Sequence, residues 1–290
     1  MDYRTESILK ERLPNFSGYN YSPKTKAALW TAASAQGLLD SVHPLFFLAR
    51  ADAIARTKPL AALRVLESAV ELQKLEPASQ EVRSRVEKYA ASAASDQFLG
   101  GPLSAARILF KGVKLNALDA SEASKDFVKH AASAARQFVS LRKKGKEFEF
   151  ELAKVLEKAT RNGIVSSSDA SELFTTLANA AGHRKRNQTR EQVLLAGVRS
   201  GVFDAKTIAT EKESKATEAL NRNDAEQGIL FLNTAARAHL ETGTAGLDKA
   251  EEIALKMKGL KLPYKITETA RGHAALLLDE ILERRGKWKV

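Results

Sequence analysis

Gly201-Val202-Phe203-Asp204 shows in four residues the pattern from which the fold is predicted. Glycine can take the left-handed conformation that closes a helix, the apolar residues pack back on the last turn, and Asp or Ser opens the next helix. Short connections of this kind make consecutive helices antiparallel. The same order of residue types occurs at 37–40, 163–166 and 246–248. The sequence therefore predicts a series of helical hairpins.

Apolar spacing and capping residues support the same prediction. Residues 59–77 read PLAALRVLESAVELQKLEP, with apolar residues three and four positions apart, a proline in the first turn and another beyond the end. Pairs three residues apart that can form a capping box mark further helix starts. These pairs are Asp119 with Glu122, Asp169 with Glu172, and Thr189 with Gln192.

We predict an all-α fold in which antiparallel helical hairpins stack as an irregular bundle or solenoid, with an extended N-terminal arm. The spacings from Gly163 to Gly201 and from Gly201 to Gly246 fit a hairpin plus its turn, but they differ, which argues against a strict repeat. The predicted divisions are an arm at 1–26, N-terminal hairpins at 27–100, central hairpins with basic loops at 101–262, and a C-terminal helix with a basic tail at 263–290.

The predicted arm is a candidate for assembly. It contains proline and glycine and three aromatic residues, Phe16, Tyr19 and Tyr21, without helical periodicity. Aromatic side chains in a tail need an apolar surface, either on the body of the same chain or on a neighbouring copy.

No pattern of residues points to catalysis. The chain has no cysteine, which excludes disulfides and thiolate metal sites, and its five histidines are scattered without a pair four residues apart. Phosphate-binding glycine loops and nucleophile elbows are absent from the sequence, and its alternating Glu and Lys residues fit solvated helix faces. We therefore expect a non-enzymatic protein that needs no metal and no cofactor.

The sequence also gives an expectation for location. The N-terminal residues alternate in charge without an apolar run, which predicts no secretory signal. No run approaches the roughly 18–20 apolar residues that span a bilayer. We expect an intracellular protein, either cytoplasmic or part of a nucleoprotein particle.

Positive charge is concentrated in the middle of the chain. The 46 Lys and Arg residues exceed the 35 Asp and Glu residues, and residues 101–200 carry a net charge of +8 against +2 for residues 1–100. Two clusters follow predicted helices, and a third ends the chain beside a tryptophan. Their members are Arg142, Lys143, Lys144, Lys146, Arg184, Lys185, Arg186, Arg190, Arg284, Arg285, Lys287, Trp288 and Lys289.

The leading hypothesis is a structural protein that binds the phosphate backbone of RNA or DNA, as a nucleoprotein or ribonucleoprotein component. Loops 142–146 and 183–190 would emerge at one edge and neutralise phosphates without reading sequence. Both clusters could instead complement helix dipoles or form solvated faces. The alternative function is a solenoid-like adaptor that binds a protein partner between hairpins. Basic loops on one edge favour the first function, and a concave groove with exposed Leu or Phe favours the second.

Overall fold

The computed structural model describes residues 43–95, 100–140, 148–183 and 185–287. Within these ranges the chain forms twelve α-helices and no strand, which confirms the predicted all-α fold. The predicted arm with Phe16, Tyr19 and Tyr21 lies outside the described residues.

The helices fall into two compact units, Met1–Gln137 and Phe138–Val290. The domain divisions expected at 100/101 and 262/263 remain predictions. In chain order the helices are α1 Pro44–Ala55, α2 Pro59–Glu71, α3 Gln80–Ser95, α4 Gly101–Lys114, α5 Ala120–Ser140, α6 Phe148–Arg161, α7 Ser167–His183, α8 Asn187–Arg199, α9 Ala205–Asn221, α10 Ala225–Leu240, α11 Thr244–Gly259 and α12 Tyr264–Lys287.

Alternate helices of the second unit form a regular series. Helices α6, α8, α10 and α12 begin 38 or 39 residues apart, and each packs against the next member of the series. Hydrogen bonds link corresponding ends: Arg186, just before α8, contacts Glu149 near the start of α6, and Arg284 near the end of α12 contacts the carbonyl of Leu240, the last residue of α10. These four helices therefore run parallel, with α7, α9 and α11 as their antiparallel partners.

One closure ends half of the twelve helices. In α2, α4, α6, α7, α8 and α9 the second residue past the helix has a positive φ of 55–75°. The next N–H then donates to the carbonyl oxygen five residues earlier at 2.9–3.0 Å. Examples are the bonds from Ile164 to Ala159 and from Val202 to Gly197. The predicted closures at Gly163 and Gly201 are thus confirmed. The other four use Gln73, Asn116, Lys185 and Asn223, which no glycine marks in the sequence.

The predicted helix starts have mixed outcomes. Asp119 caps α5 by accepting from the N–H of Ser121 at 2.7 Å, and Asp204 caps α9 by accepting from that of Thr207 at 2.6 Å. The prediction for Asp169 is wrong by one turn, because Ser166 is the capping residue. The hydroxyl of Ser166 accepts a bond from the N–H of Asp169 and donates one to the Asp169 carboxylate. The prediction for Thr189 is also wrong, because α8 already begins at Asn187 and Thr189 is buried within it.

The boundary predicted at 246–248 is wrong as well. Helix α11 begins at Thr244 and contains all three residues, while Gly243 is the residue with positive φ. Gly246 is instead a close-packing position, because a Cβ there would clash with the carbonyl oxygen of His239.

The first unit is held by an apolar core and by side-chain bonds between its helices. Lys111 of α4 contacts Glu67 of α2 at 2.6 Å. The Tyr89 hydroxyl of α3 donates to Asp52 of α1 at 2.7 Å, and burial together with this bond raises the pKa of Tyr89. The phenol therefore stays protonated and acts as a fixed donor in the core.

The close approach at Gly246 generates a prediction. We expect Gly246→Ala to destabilise the protein by about 1–3 kcal/mol, because the added methyl group must displace backbone atoms. Gly272→Ala is the matched control, since Gly272 lies in α12 with no atom within 4 Å of an added Cβ and alanine favours helix by about 0.5–1 kcal/mol. Urea unfolding of both variants gives the comparison, and equal effects would contradict the packing role of Gly246.

Candidate functional site

The structure describes the side chains of five of the thirteen residues predicted to contact phosphates. These are Lys185, Arg186, Arg190, Arg284 and Arg285. Lys287 ends α12, and nothing is described of its side chain. The remaining residues lie outside the described ranges and are Arg142, Lys143, Lys144, Lys146, Arg184, Trp288 and Lys289.

The second basic cluster is a tight turn rather than the predicted loop over 183–190. Helix α7 extends to His183 and α8 begins at Asn187, so Arg190 is helical. The turn is short because Lys185 takes the left-handed conformation and the N–H of Arg186 donates back to Ala181. Of the cations in this turn, the exposed Lys185 makes no ion pair with a described residue.

Arg186 joins the starts of α6 and α8. Its Nη1 lies 3.2 Å from Oε2 of Glu149, and the Glu149 side chain is only 1% exposed. A carboxylate buried to this degree needs a counter-charge, so Arg186 stabilises the fold. The basic sequence 142–146 precedes α6 along the chain, so both basic sequences lead into neighbouring helix N-termini.

The other described arginines that were predicted to bind phosphate also contact their own chain. The side chain of Arg190 packs over Gly182, and its buried Nε has no hydrogen-bond partner among the described residues. Arg284 donates to the Leu240 carbonyl at 2.6 Å and to Glu241 and Glu280 at 3.0 Å. Arg285 contacts Asp248 and Glu251 at 2.7 Å. The two arginines therefore attach the end of α12 to α10 and α11.

A concave surface lies on the face formed by α6, α8, α10 and α12. It is a groove of about 1020 Å³, which we call the even-helix groove. Apolar and carboxamide side chains provide much of its lining. The apolar residues are Phe150, Leu195, Ile229, Leu230, Ile266 and Leu276, and the carboxamides are Asn187, Gln188, Gln192, Gln227 and Asn233. Leu276 is 62% exposed, so the groove presents apolar surface to solvent.

Most of the charges in the groove are neutralised by neighbouring helices. Arg199 of α8 makes a bidentate contact with Glu157 of α6 at 2.9–3.2 Å. Arg237 of α10 contacts Glu280 of α12 at 2.9 Å. Together with the bond of Arg186 to Glu149, these contacts pair three of the cations that line the groove.

A buried ion pair lies under the floor of the groove. Nζ of Lys212 in α9 is 2.7 Å from Oε1 of Glu191 in α8, and the two side chains are 0% and 2% exposed. The ammonium group also lies 5.3 Å from the centre of the Phe231 ring. Burial lowers the pKa of Lys212, and the charge of Glu191 opposes this shift. The pair thus places two charges in the apolar interior with a net charge of zero.

Three buried side-chain oxygens of the groove lack a hydrogen-bond donor among the described residues. They are Oε2 of Glu191, Oε1 of Gln192 and Oδ1 of Asn233. A buried acceptor without a donor costs about 1–3 kcal/mol, so each of these oxygens needs a donor that the described residues do not supply.

Sequence reasoning missed this groove. Gln192 was predicted only as the capping partner of Thr189, and Asn187 and Gln188 lie in the basic loop predicted over 183–190. The usable signal was the regular start of alternate helices, which places 187–199, 225–240 and 264–276 at equivalent positions of successive repeats. The spacing of the glycines does not show this regularity, because two of the intervening helix closures use Lys185 and Asn223.

The buried pair generates a second prediction. We expect Lys212→Met to lower the free energy of unfolding by about 3–5 kcal/mol, because it leaves the Glu191 carboxylate buried without its counter-charge. The double variant Glu191→Leu with Lys212→Met should recover most of this loss. Urea unfolding followed by circular dichroism measures both. A double variant less stable than Lys212→Met alone would contradict the explanation.

The described residues contain no group of three or more His, Cys, Asp or Glu side chains placed to hold a metal ion. None of their helices is long and apolar enough to cross a membrane. Comparison with protein-family models, curated proteins and solved structures finds no match to this chain.

Proposed function

We propose that the protein is a helical-repeat adaptor whose even-helix groove binds an extended segment of a protein partner. The observation that carries this proposal is the groove itself, in which exposed apolar side chains lie beside buried acceptors that have no donor. Apolar contact supplies binding energy, and convergent polar groups fix the position of the ligand.

The length of the groove suits a short extended peptide. Packed helices lie about 8–10 Å apart, so the three steps from α6 to α12 span about 27 Å. An extended chain rises about 3.3 Å per residue, and about eight residues cover that distance. Leu276 on α12 and Phe150 on α6 then provide apolar contacts at opposite sides of the groove.

Charge pairing favours a protein segment over a phosphate backbone as the occupant of the groove. A phosphate chain needs several cations without carboxylate partners. Arg186, Arg199 and Arg237 each contact a glutamate. Lys185 and Lys265 make no ion pair with a described residue, but the exposed Glu226 lines the same groove.

Selection from a library of displayed random peptides tests the adaptor function. We expect enriched peptides to bind the wild-type protein, and Leu276→Asp to weaken binding at least tenfold, because it places a charge on the apolar surface of the groove. Leu255→Asp is the matched control, since Leu255 is 53% exposed on α11 and does not line the groove. Fluorescence anisotropy gives the affinities. An absence of enriched peptides, or equal effects of the two substitutions, would contradict the proposal.

Phosphate-backbone binding is the second candidate, and it is favoured by the contact between Arg186 and Glu149. This contact puts the starts of α6 and α8 side by side, where the basic sequences 142–146 and 184–186 lead into the two helices. In this second proposal the cations of these sequences bind phosphates without reading base sequence.

Charge reversal tests this second candidate. We expect Arg184→Glu with Lys185→Glu to weaken binding of a single-stranded RNA and of a DNA duplex, and to reduce the dependence of log K on log salt by about 1.4–1.8. Arg186 is kept, because its loss would leave Glu149 unpaired. Lys256→Glu with Lys258→Glu makes the same change in net charge on the exposed end of α11 and should have a smaller effect. Filter binding at low salt decides, and an absence of affinity in the wild type rejects the candidate.

A further inference from the structure

Carboxamide side chains are concentrated in the even-helix groove. The chain contains nine Asn and eight Gln residues, of which five line this one groove: Asn187, Gln188, Gln192, Gln227 and Asn233. They come from α8 and α10, the two central helices of the parallel series. The central part of the groove is therefore lined by groups that both donate and accept hydrogen bonds.

These carboxamides are not used to hold the fold together. No hydrogen bond joins the side chain of any of the five to another described residue. The oxygens of Gln192 and Asn233 are buried, as is Oε2 of Glu191, which is 2% exposed and bonded only through its other oxygen. As the side chains stand, solvent does not reach these oxygens, so a ligand donor can bond to a carboxamide only after its side chain turns toward the groove.

The charges of the groove indicate that the ligand is neutral where it meets the floor. Glu191 is paired with Lys212, and Arg199 and Arg237 are paired with glutamates of the adjacent helices. Among these paired groups a charged ligand group finds no uncompensated counter-charge, and the exposed Lys185, Lys265 and Glu226 that also line the groove add one net positive charge. A neutral amide would satisfy the open positions without a net change in charge.

We propose that the even-helix groove binds the main chain of an extended, neutral polypeptide segment, with the carboxamides of Gln192 and Asn233 bonded to its peptide groups. This inference rests on the adaptor function proposed above. A carboxamide carries the same donor and acceptor as a peptide group, so each can make a reciprocal pair of bonds with the segment. Because successive N–H groups of an extended chain point to opposite sides, only every second residue faces the floor.

The experiment uses a peptide enriched in the display selection and a series of its copies, each N-methylated at one residue. We expect methylation at alternate positions to weaken binding by about tenfold or more, because each removes a donor at the floor, and methylation at the intervening positions to have little effect. Affinities are measured by fluorescence anisotropy with the full-length chain. If methylation weakens binding at none of the positions, the inference is wrong while the adaptor function still stands.

Protein variants give the complementary test. We expect Gln192→Leu and Asn233→Leu each to weaken binding by about tenfold, and Asn179→Leu, an exposed position on α7 outside the groove, to leave it unchanged. Thermal unfolding checks that each variant is folded. The methylation series uses the wild-type protein, so it does not depend on the folding of the variants. If no peptide is enriched, the adaptor function and this inference both fail. If single-stranded RNA displaces the peptide from the wild type, the groove binds a phosphate backbone and the inference is wrong.

Discussion

The left-handed residue that follows six of the helices sets the geometry on which the remaining structure depends. Its positive φ lets the chain reverse within two residues while the next N–H satisfies a carbonyl of the last turn. Repeated use of one closure makes neighbouring helices antiparallel and alternate helices parallel. In the second unit this arrangement brings α6, α8, α10 and α12 onto one face, where they form the groove.

Ion pairs between successive parallel helices then determine the net charge of that face. Arginines of one helix reach glutamates of the next parallel helix, as Arg199 reaches Glu157 and Arg237 reaches Glu280. These contacts use cations that a composition argument would assign to a polyanionic partner. The surface left in the groove is apolar and amide-rich with little net charge, and such a surface suits hydrogen bonding to a neutral chain better than attraction of phosphates.

Much of the fold was predictable, because its signals are local. Apolar spacing over 59–71, the cap at Asp119 and the glycine closures at 163 and 201 all depend on residues within one turn of each other. The errors have local causes too. Lys185 closes a helix in a conformation that costs a non-glycine residue about 1–3 kcal/mol, and its residue type gives no sign of it. Asn223 also closes a helix, in a position where asparagine is less usual than glycine. Gly246 resembles a helix stop but is required for close approach to His239.

The sequence by itself determined the helical class, the hairpin pattern and the basic middle of the chain, since propensity, capping and composition are properties of neighbouring residues. Only the tertiary structure decided which charges remain available and where a ligand would fit. Arg186 contacts Glu149 across 37 positions of sequence, and Gln192 and Asn233 line one groove although their helices start 38 residues apart. Contacts of this range depend on the angle and register of packed helices, which no local pattern encodes.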